Sequence, residues 1–364
     1  FWGAPQAGNI YLADYGVLQG LPTAVIDGRP TFVAAPLCLL HQRPDGDLLP
    51  LAIQVGPKNP KTHPKAVALG RRGLLAVMGR DLGVNLGILG VFGWEFRERG
   101  CPLSVPSLSP MSPRCPQAVA LGRRGLLALV ARGLRALRWR SLVLPRDLRH
   151  RGVAATERHH FGRDATEVWR AIRRFVTSLL SLYYPSDGSV QQDPELQAWV
   201  GEIFRRGFLA RRRSGVPSRL ESRRGLVTFV TVLIFSCSAL HAATNSGQFE
   251  LSAFPPNAPA AMREPPPRSK AALSEQEFLA ALPAMNTTAT VLAVLWVLRN
   301  EPMDMRPLGH YPDRHFTESA PRRLIRRFRR RLRRISRRIR ARNAALERPY
   351  PYLDPENIEN SVAI

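Results

Sequence analysis

His241 and Asn245 are a pair of polar residues that a helix could bring together at one metal ion. They follow an apolar run, Leu226 to Leu240, and stand four positions apart. In a helix, which rises about 1.5 Å and turns about 100° per residue, their side chains would lie about 6 Å apart on one face. An imidazole nitrogen and an amide oxygen could then bind one metal ion. A third group of interest is the carboxylate of Ile364, the last residue.

The apolar run Leu226 to Leu240 must position this pair. Threonines and serines interrupt the run, and it falls short of the roughly 18 apolar residues that a membrane-spanning helix needs. We therefore expect a helix buried in the core of the protein.

Composition and charge restrict the classes of protein and partner. The 364 residues are 45% hydrophobic, which is typical of a soluble globular protein with one large core or two modest ones. The formal net charge is +25, and arginine supplies nearly all of it. This balance favours polyanions or anionic lipid surfaces as partners and says nothing about the fold.

The cysteines and the first residues bear on localisation. The four cysteines are widely spaced without a Cys-x-x-Cys pair, which argues against a zinc site and a disulfide scaffold. A reducing, cytoplasmic setting, with contact to a membrane surface, is the expectation. The sequence starts at Phe1 without a signal-like segment, so we expect a piece of a longer chain.

Three regions differ in pattern. Residues 1–55 show short apolar runs between Pro, Gly and Asp, which predict strands and turns. Residues 56–132 are rich in Gly, Pro and Arg, and Pro64 to Arg80 recurs almost verbatim as Pro116 to Arg132. Two copies are too few for a solenoid and suggest a recent duplication or a gene-prediction error. The repeated Gly-Arg-Arg-Gly could bind phosphate, but it lacks the Lys-Ser/Thr ending of a phosphate loop.

Residues 133–364 have a helical pattern. A helix is predicted over Asp164 to Tyr184, and another after Asp193, which can cap it ahead of a proline in the first turn. Ser274 and Glu277 have the spacing of a capping box. Asn286 is expected to cap an apolar helix, and the pair at residues 159–160 is expected to be two solvated loop histidines.

The predicted last helix, Arg322 to Arg342, carries a narrow apolar stripe between arginines. It is either docked on a core with its basic face in water, or bound to a membrane or nucleic acid. Apart from Phe328 it lacks the aromatic residues that would stack on bases, so no specific nucleic acid is expected. Beyond Arg348, an extended tail with apolar residues near its end is predicted to be buried.

Together these segments resemble animal lipoxygenases. The most specific likeness joins Cys-Ser-Ala-Leu-His-Ala-Ala-Thr-Asn-Ser-Gly-Gln, residues 237–248, to the terminal Asn-Ser-Val-Ala-Ile, residues 360–364. Within the family, the sequence is most similar to the epidermal and second 15-lipoxygenase branch. Other similar stretches cover residues 8–15, 35–54, 134–153, 183–204 and 306–316.

The resemblance implies a fold, an activity and a site. It implies a mainly α catalytic domain with short β elements near the N-terminus, and a monomer. It further implies a non-haem iron dioxygenase in which a ferric hydroxide removes hydrogen from a polyunsaturated fatty acid, such as arachidonate or linoleate, before O2 adds to give a hydroperoxide. His241, Asn245 and Ile364 match iron-ligand positions, and imidazole and carboxylate suit iron. Gln248 is the residue expected to orient a ligand by hydrogen bonding.

One departure from the family is serious. Two further histidine ligands are expected on a long helix with the form His-x4-His between Gln54 and Leu134, and this interval contains His63 alone. With three ligands out of five, iron affinity should collapse. We therefore expect an incomplete, inactive form of the enzyme. The alternatives are a non-catalytic, lipid-binding lipoxygenase remnant and a basic lipid- or polyanion-binding protein.

Overall fold

The computed structural model describes residues 9–54, 66–67, 116–156, 158–246, 248–256, 259–266, 274–299, 305–313 and 315–360. The chain divides into two compact units. The unit that contains the β-sheet, here the sheet unit, comprises Phe1–Ile88, Glu98–Leu134 and Asn245–Asn300. The second, the helical unit, comprises Leu89–Arg97, Arg135–Thr244 and Glu301–Ile364.

The sheet unit begins with short strands separated by turns, as predicted for residues 1–55. Four antiparallel strands form one sheet, in which the first strand of the chain pairs with the fourth, the fourth with the fifth and the fifth with the sixth. The second and third strands form a small hairpin. Tyr15, Cys38 and Ile53 are buried in its core. The strands are β1 (Ile10–Asp14), β2 (Val25–Ile26), β3 (Arg29–Pro30), β4 (Leu37–Gln42), β5 (Leu48–Gln54) and β6 (Ala66–Val67).

Helix α1 (Pro116–Ala136) contains the second copy of the repeated segment. It is kinked at Gly122, whose φ of 58° a residue with a Cβ rarely adopts. At the kink the carbonyl of Ala120 accepts a hydrogen bond from the amide of Ala24, at 2.7 Å. A Cβ on Gly125 would overlap the carbonyl oxygen of Pro22. Packing therefore accounts for both glycines of this Gly-Arg-Arg-Gly; the first copy lies outside the described residues.

The remaining helices of the sheet unit are α9 (Gln248–Ser252), α10 (Glu275–Ala281) and α11 (Met285–Arg299). The capping box of α10 is confirmed, because the Ser274 hydroxyl and the Glu277 carboxylate each bond the other residue's amide. The cap predicted at Asn286 is wrong. Helix α11 already starts one residue earlier, and the carbonyl of Ala284 accepts a bond from Thr288, so Asn286 lies inside the first turn.

The helical unit is built around α4 (His160–Tyr183), the helix predicted over 164–184. Helices α7 (Arg223–Phe235) and α12 (Ser319–Ala344) both pack on it. The helix cap predicted at Asp193 is confirmed, since its carboxylate accepts a hydrogen bond from the Leu196 amide at 2.9 Å. The smaller helices are α2 (Trp139–Leu142), α3 (Leu144–His150), α5 (Asp187–Gln191), α6 (Pro194–Glu202) and α8 (His241–Asn245), with π-helical turns at Ile203–Gly207 and Ser236–Leu240.

Helix α12 is docked on the core with its basic face in water, which confirms the first of the two readings of this segment. Its apolar stripe is buried, and the ring of Phe328 stacks on Phe175 of α4 with centroids 4.7 Å apart. Near the C-terminal end, Arg342 donates to both carboxylate oxygens of Asp164, at 2.7 and 2.8 Å. The buried residues of α12 are Pro321, Phe328, Leu332, Ile335, Ser336 and Ile339.

The tail after α12 is partly buried, and the extended conformation predicted for it is wrong: it folds into turns, because the amides of Asp354 and Asn357 each donate to a carbonyl three residues back. Leu353 and Ile358 are fully buried in the core of the helical unit. The tail is pinned by backbone hydrogen bonds from Leu308 to the carbonyl of Ile358 and from Asn360 to that of Arg306, at 2.8 and 2.7 Å. Residues 361–364 lie outside the described residues.

The fold class is confirmed: the described chain is mainly helical, with short strands near its N-terminus. The sequence divisions 1–55, 56–132 and 133–364 stay predictions, because most of residues 56–132 lies outside the described ranges.

Candidate metal centre

His241 stands near the end of one long apolar element made of α7, a π-helical turn and α8. Ser222 caps this element by accepting from the amide of Gly225 at 3.1 Å. Two buried hydroxyls inside it are satisfied locally: those of Thr231 and Ser238 each donate to a carbonyl four residues back, at 2.6 Å. These two hydroxyl groups thus cost little on burial.

The length predicted for this element was wrong. Within the described residues, the continuous helix Arg223–Thr244 is long and apolar enough to cross a membrane, because it runs past Leu240 through the π turn. The pair Glu275–Ala281 and Met285–Trp296, bent by 57°, passes the same test as one broken span. In the first helix 67% of the apolar window is buried inside the protein, in agreement with the predicted core helix.

The π turn Ser236–Leu240 directly precedes His241. Such single wide turns in helices are frequent at functional sites. The hydroxyl of Ser236 is buried there and lacks a hydrogen-bond partner among the described residues. The sequence contains no signal for this turn, since its residues are compatible with an ordinary α-helix.

The imidazole of His241 is buried, with 4% of the residue exposed. Its neighbours along the helix are small: Ala239, Ala242 and Ala243 are each at most 3% exposed. The hydroxyl of Thr244 donates to the carbonyl of His241, at 2.9 Å. His241 therefore lies inside the protein, next to other buried residues of the same helix.

Cys237 precedes His241 by four residues and is half-buried. Burial raises the pKa of its thiol. The thiolate is the form that binds metals, so a protonated Cys237 is a poor ligand.

The other predicted site residues are described less completely. Asn245 ends α8, one turn after His241, and Gln248 begins α9; the side chains of both lie outside the description, as does Ile364 altogether. Among the described residues there is no group of three or more His, Cys, Asp or Glu side chains that could hold a metal ion. The described side chains supply one predicted ligand, His241, and do not complete an iron site.

Two other histidine pairs do not complete it. A His-x4-His spacing occurs once, at His310 and His315, outside the interval where the family helix is expected. The structure shows bends at residues 312–313 and no helix at either histidine, so the two do not share a helix face.

His159 and His160, predicted as solvated loop residues, instead start α4 and are half-buried. Burial lowers the pKa of both. The ring of His160 stacks on Tyr350, with centroids 6.5 Å apart. This pair belongs to the packing between α4 and the tail and not to the His241 centre.

Comparison with known proteins identifies the family. The sequence model described as Lipoxygenase matches residues 135–349. The chain belongs to the lipoxygenase family. It is 42% identical to rat (Rattus norvegicus) hydroperoxide isomerase ALOXE3, and 41% identical to the rat polyunsaturated fatty acid lipoxygenase ALOX15B. These alignments cover 99% of this chain in both cases.

Solved lipoxygenases have the same fold. A calcium-dependent 11R-lipoxygenase superimposes with a TM-score of 0.86 at 26% identity, over 99% of this chain and 59% of the other. Coral 8R-lipoxygenase gives 0.84 at 25% identity, over 100% of this chain and 60% of the other. The chain spans 55% of ALOXE3 and 58% of ALOX15B, so it corresponds to a little over half the length of its relatives.

Proposed function

We propose that this lipoxygenase chain represents part of a catalytic domain that oxygenates polyunsaturated fatty acids, such as arachidonate or linoleate, with O2 to give hydroperoxides. The observation that carries the proposal is the buried His241 at the end of an apolar core helix in a member of this family. The relatives' names support the substrate class, since one is a polyunsaturated fatty acid lipoxygenase and another a hydroperoxide isomerase.

In this proposal His241, Asn245 and the carboxylate of Ile364 are the residues that would hold non-haem iron, with Gln248 orienting a ligand. A ligand set contributes folding energy together with metal binding, and losing ligands weakens both. Because residues 55–133 contain one histidine, the two remaining imidazoles of the family site are missing from this sequence. We therefore propose that the 364-residue chain by itself is an inactive form.

Metal analysis and oxygen uptake test this function. The purified chain, incubated with ferrous iron and desalted, is expected to retain far less than one iron per chain and to consume no oxygen with arachidonate or linoleate. A second readout is thermal unfolding, because a metal that binds the folded state raises the midpoint. One bound iron per chain would contradict the proposal of an inactive form.

The variant His241→Ala serves as the control for the location of the site. Residual iron that persists unchanged in this variant would show that His241 is not a ligand. A longer transcript of the same locus that encodes a His-x4-His helix between Gln54 and Leu134 is expected to restore iron binding and oxygen uptake. The same iron and oxygen assays on that longer product test whether the family activity belongs to this locus.

The non-catalytic remnant is the second candidate, favoured by the single histidine of residues 55–133. It predicts that no longer product restores oxygen uptake, while the chain still binds a fatty acid in a fluorescence displacement assay. We also propose a cytoplasmic monomer. Sedimentation velocity checks the oligomeric state, and fractionation of cells expressing a tagged chain checks the localisation.

A further inference from the structure

A basic groove runs between α4 and α12 on the surface of the helical unit. Its volume is about 730 Å³, and it is open to solvent along its length. Glu167 and Ala171 of α4 and Ile335 of α12 contribute to its walls. We call it the arginine groove after the six residues that provide its charge, Arg170, Arg174, Arg331, Arg334, Arg337 and Arg338.

The positive charge of the arginine groove is largely uncompensated. Glu167 is the one acidic residue in its lining and pairs with Arg338 at 2.6 Å, so six positive charges and one negative charge leave five in excess. The other five arginines have no ion pair or hydrogen bond with any residue that the structure describes. Guanidinium groups brought together on two packed helices repel each other unless an anion joins them.

Arg331 shows this repulsion most directly. It is half-buried, whereas Arg174 and Arg334 beside it are exposed. Burial, followed by the charges of Arg174 and Arg334, lowers the pKa of Arg331. A partly desolvated cation between two others is an unfavourable arrangement for folding alone, and a phosphate bound between them would relieve it.

The groove has the shape that several phosphate groups in a row would need. The helices run antiparallel, because Asp164 near the start of α4 bonds Arg342 near the end of α12, and Tyr183 at the end of α4 bonds Glu318 before α12. Arg170 and Arg174 are one turn apart on one wall. Packed helix axes are about 8–10 Å apart, so arginines on opposite walls can reach one phosphate with bidentate hydrogen bonds.

Two features favour a bilayer surface over nucleic acid. The groove lining contains no aromatic side chain on which bases could stack. About two turns beyond Arg174 on α4, Leu182 is 47% exposed, and Tyr183 next to it is 46% exposed. An apolar residue and a tyrosine beside a basic surface suit the boundary between headgroups and acyl chains.

We propose that the arginine groove binds the phosphate groups of anionic phospholipids and so holds the helical unit on a membrane surface. This site is separate from the His241 centre and does not depend on iron or on oxygenase activity. Binding should weaken with added salt, because exposed charges are screened within about a Debye length.

Vesicle co-sedimentation with matched variants tests the proposal. The groove variant Arg174→Gln, Arg331→Gln, Arg334→Gln is compared with the control variant Arg326→Gln, Arg330→Gln, Arg333→Gln. Both variants lose three charges, and the control residues are exposed on α12 outside the groove lining. On vesicles of phosphatidylcholine with phosphatidylserine, the groove variant should bind about 100-fold more weakly than the unmodified chain, from about fivefold for each charge near the surface. The control variant should lose less than about tenfold.

Further binding measurements separate the arginine groove from general charge, and phospholipid from other anions. Pure phosphatidylcholine vesicles should bind neither variant nor the unmodified chain. Equal losses in the two variants would show that charge alone acts, and would overturn the groove. Groove-dependent binding to inositol hexakisphosphate or to single-stranded DNA, without binding to phosphatidylserine vesicles, would overturn the lipid assignment. If the triple groove variant does not fold, the exposed pair Arg170→Gln, Arg337→Gln replaces it and should weaken binding about tenfold or more.

Discussion

Helices α7 and α12 pack on the same partner, α4, but differ in how they are buried. Buried residues of α7 face in several directions, as expected of a helix enclosed by the core. Those of α12 form one stripe, and arginines cover the rest of the helix. The α7 element delivers a histidine into a water-poor interior, whereas α12 presents charge at the surface. Both helices contact α4. The width of the apolar surface on each helix therefore decides whether it supports a buried histidine or a charged surface.

The largest loss of stability is expected when the aromatic side chain through which each helix contacts α4 is removed. Phe235 of α7 lies edge-on to Trp169, and Phe328 of α12 stacks on Phe175; both phenylalanines are at most 2% exposed. Phe235→Ala and Phe328→Ala should each lower the free energy of unfolding by about 3–5 kcal/mol, through lost burial and the cavity left behind. Urea unfolding followed by circular dichroism measures this, with the exposed Leu182→Ala as control. A loss below about 1 kcal/mol at Phe328 would contradict docking of α12 through its stripe.

A somewhat smaller effect is expected at the ion pair that joins α12 to α4. Asp164 and Arg342 are both largely buried, and burial raises the pKa of Asp164 in spite of its hydrogen bonds to Arg342. Removing one partner leaves the other charge buried, so Asp164→Ala should cost about 3 kcal/mol. The double variant Asp164→Leu, Arg342→Met should be more stable than Asp164→Ala. A double variant as unstable as the sum of the single variants would show that the two charges act independently.

The helix starts offer a third test of the comparison. The side chain of Ser222 accepts a hydrogen bond from the first turn of α7, whereas the side chain of Glu318, at the N-cap of α12, makes no such capping bond. Ser222→Ala should therefore lower the free energy of unfolding by about 1 kcal/mol, and Glu318→Ala should change it by less than about 0.5 kcal/mol. Thermal unfolding of the two variants side by side gives the measurement. Equal losses of stability in the two variants would mean that the N-cap residue stabilises α12 as much as it stabilises α7.

The smallest change in stability is expected from lowering the pH, through the two histidines at the start of α4. Burial, followed by the charge of Arg151 at His159 and that of Arg342 at His160, lowers the pKa of both histidines below the ordinary 6.5. The unfolded chain therefore binds protons at these sites more readily than the folded chain. Their contribution to stability is complete above about pH 6.5 and is lost as the pH falls through the folded-state pKa.

Urea midpoints at several pH values between about 7.5 and 5 check this. The variant His160→Gln should show a shallower loss of stability on acidification than the unmodified chain. The exposed His150→Gln is the control and should leave the slope unchanged. Parallel slopes in all three proteins would remove His160 as a source of the pH dependence.

Local features of the fold were predictable from the sequence. The caps at Asp193 and Ser274 were correct because a cap involves residues three positions apart, and the stripe of α12 was correct because its period is that of a helix. The start of α11 and the burial of His159 and His160 were missed. The first depends on a single carbonyl, that of Ala284. For His160, burial depends on packing against Tyr350, far away in the sequence.

The candidate metal centre was predictable to a different degree at each residue. The type and spacing of His241 and Asn245, and the carboxylate of Ile364, are properties of the sequence alone. The ligand roles of Asn245 and Ile364, and the orienting role of Gln248, stay predictions, since the described side chains confirm only that His241 is buried. The π turn before it had no sequence signal, because the same residues can form an ordinary helix turn.

The sequence by itself determined the family, the charge of +25 and the amphipathic pattern that makes α12 a docked basic helix. These properties depend on residue type and short-range spacing. The tertiary structure decided that α12 lies against α4, so that Arg170 and Arg174 face Arg331 and Arg334 across one groove. It also decided that His241 is buried, with 4% of the residue exposed. Both results require contacts between distant segments, which only packing of the whole unit can select.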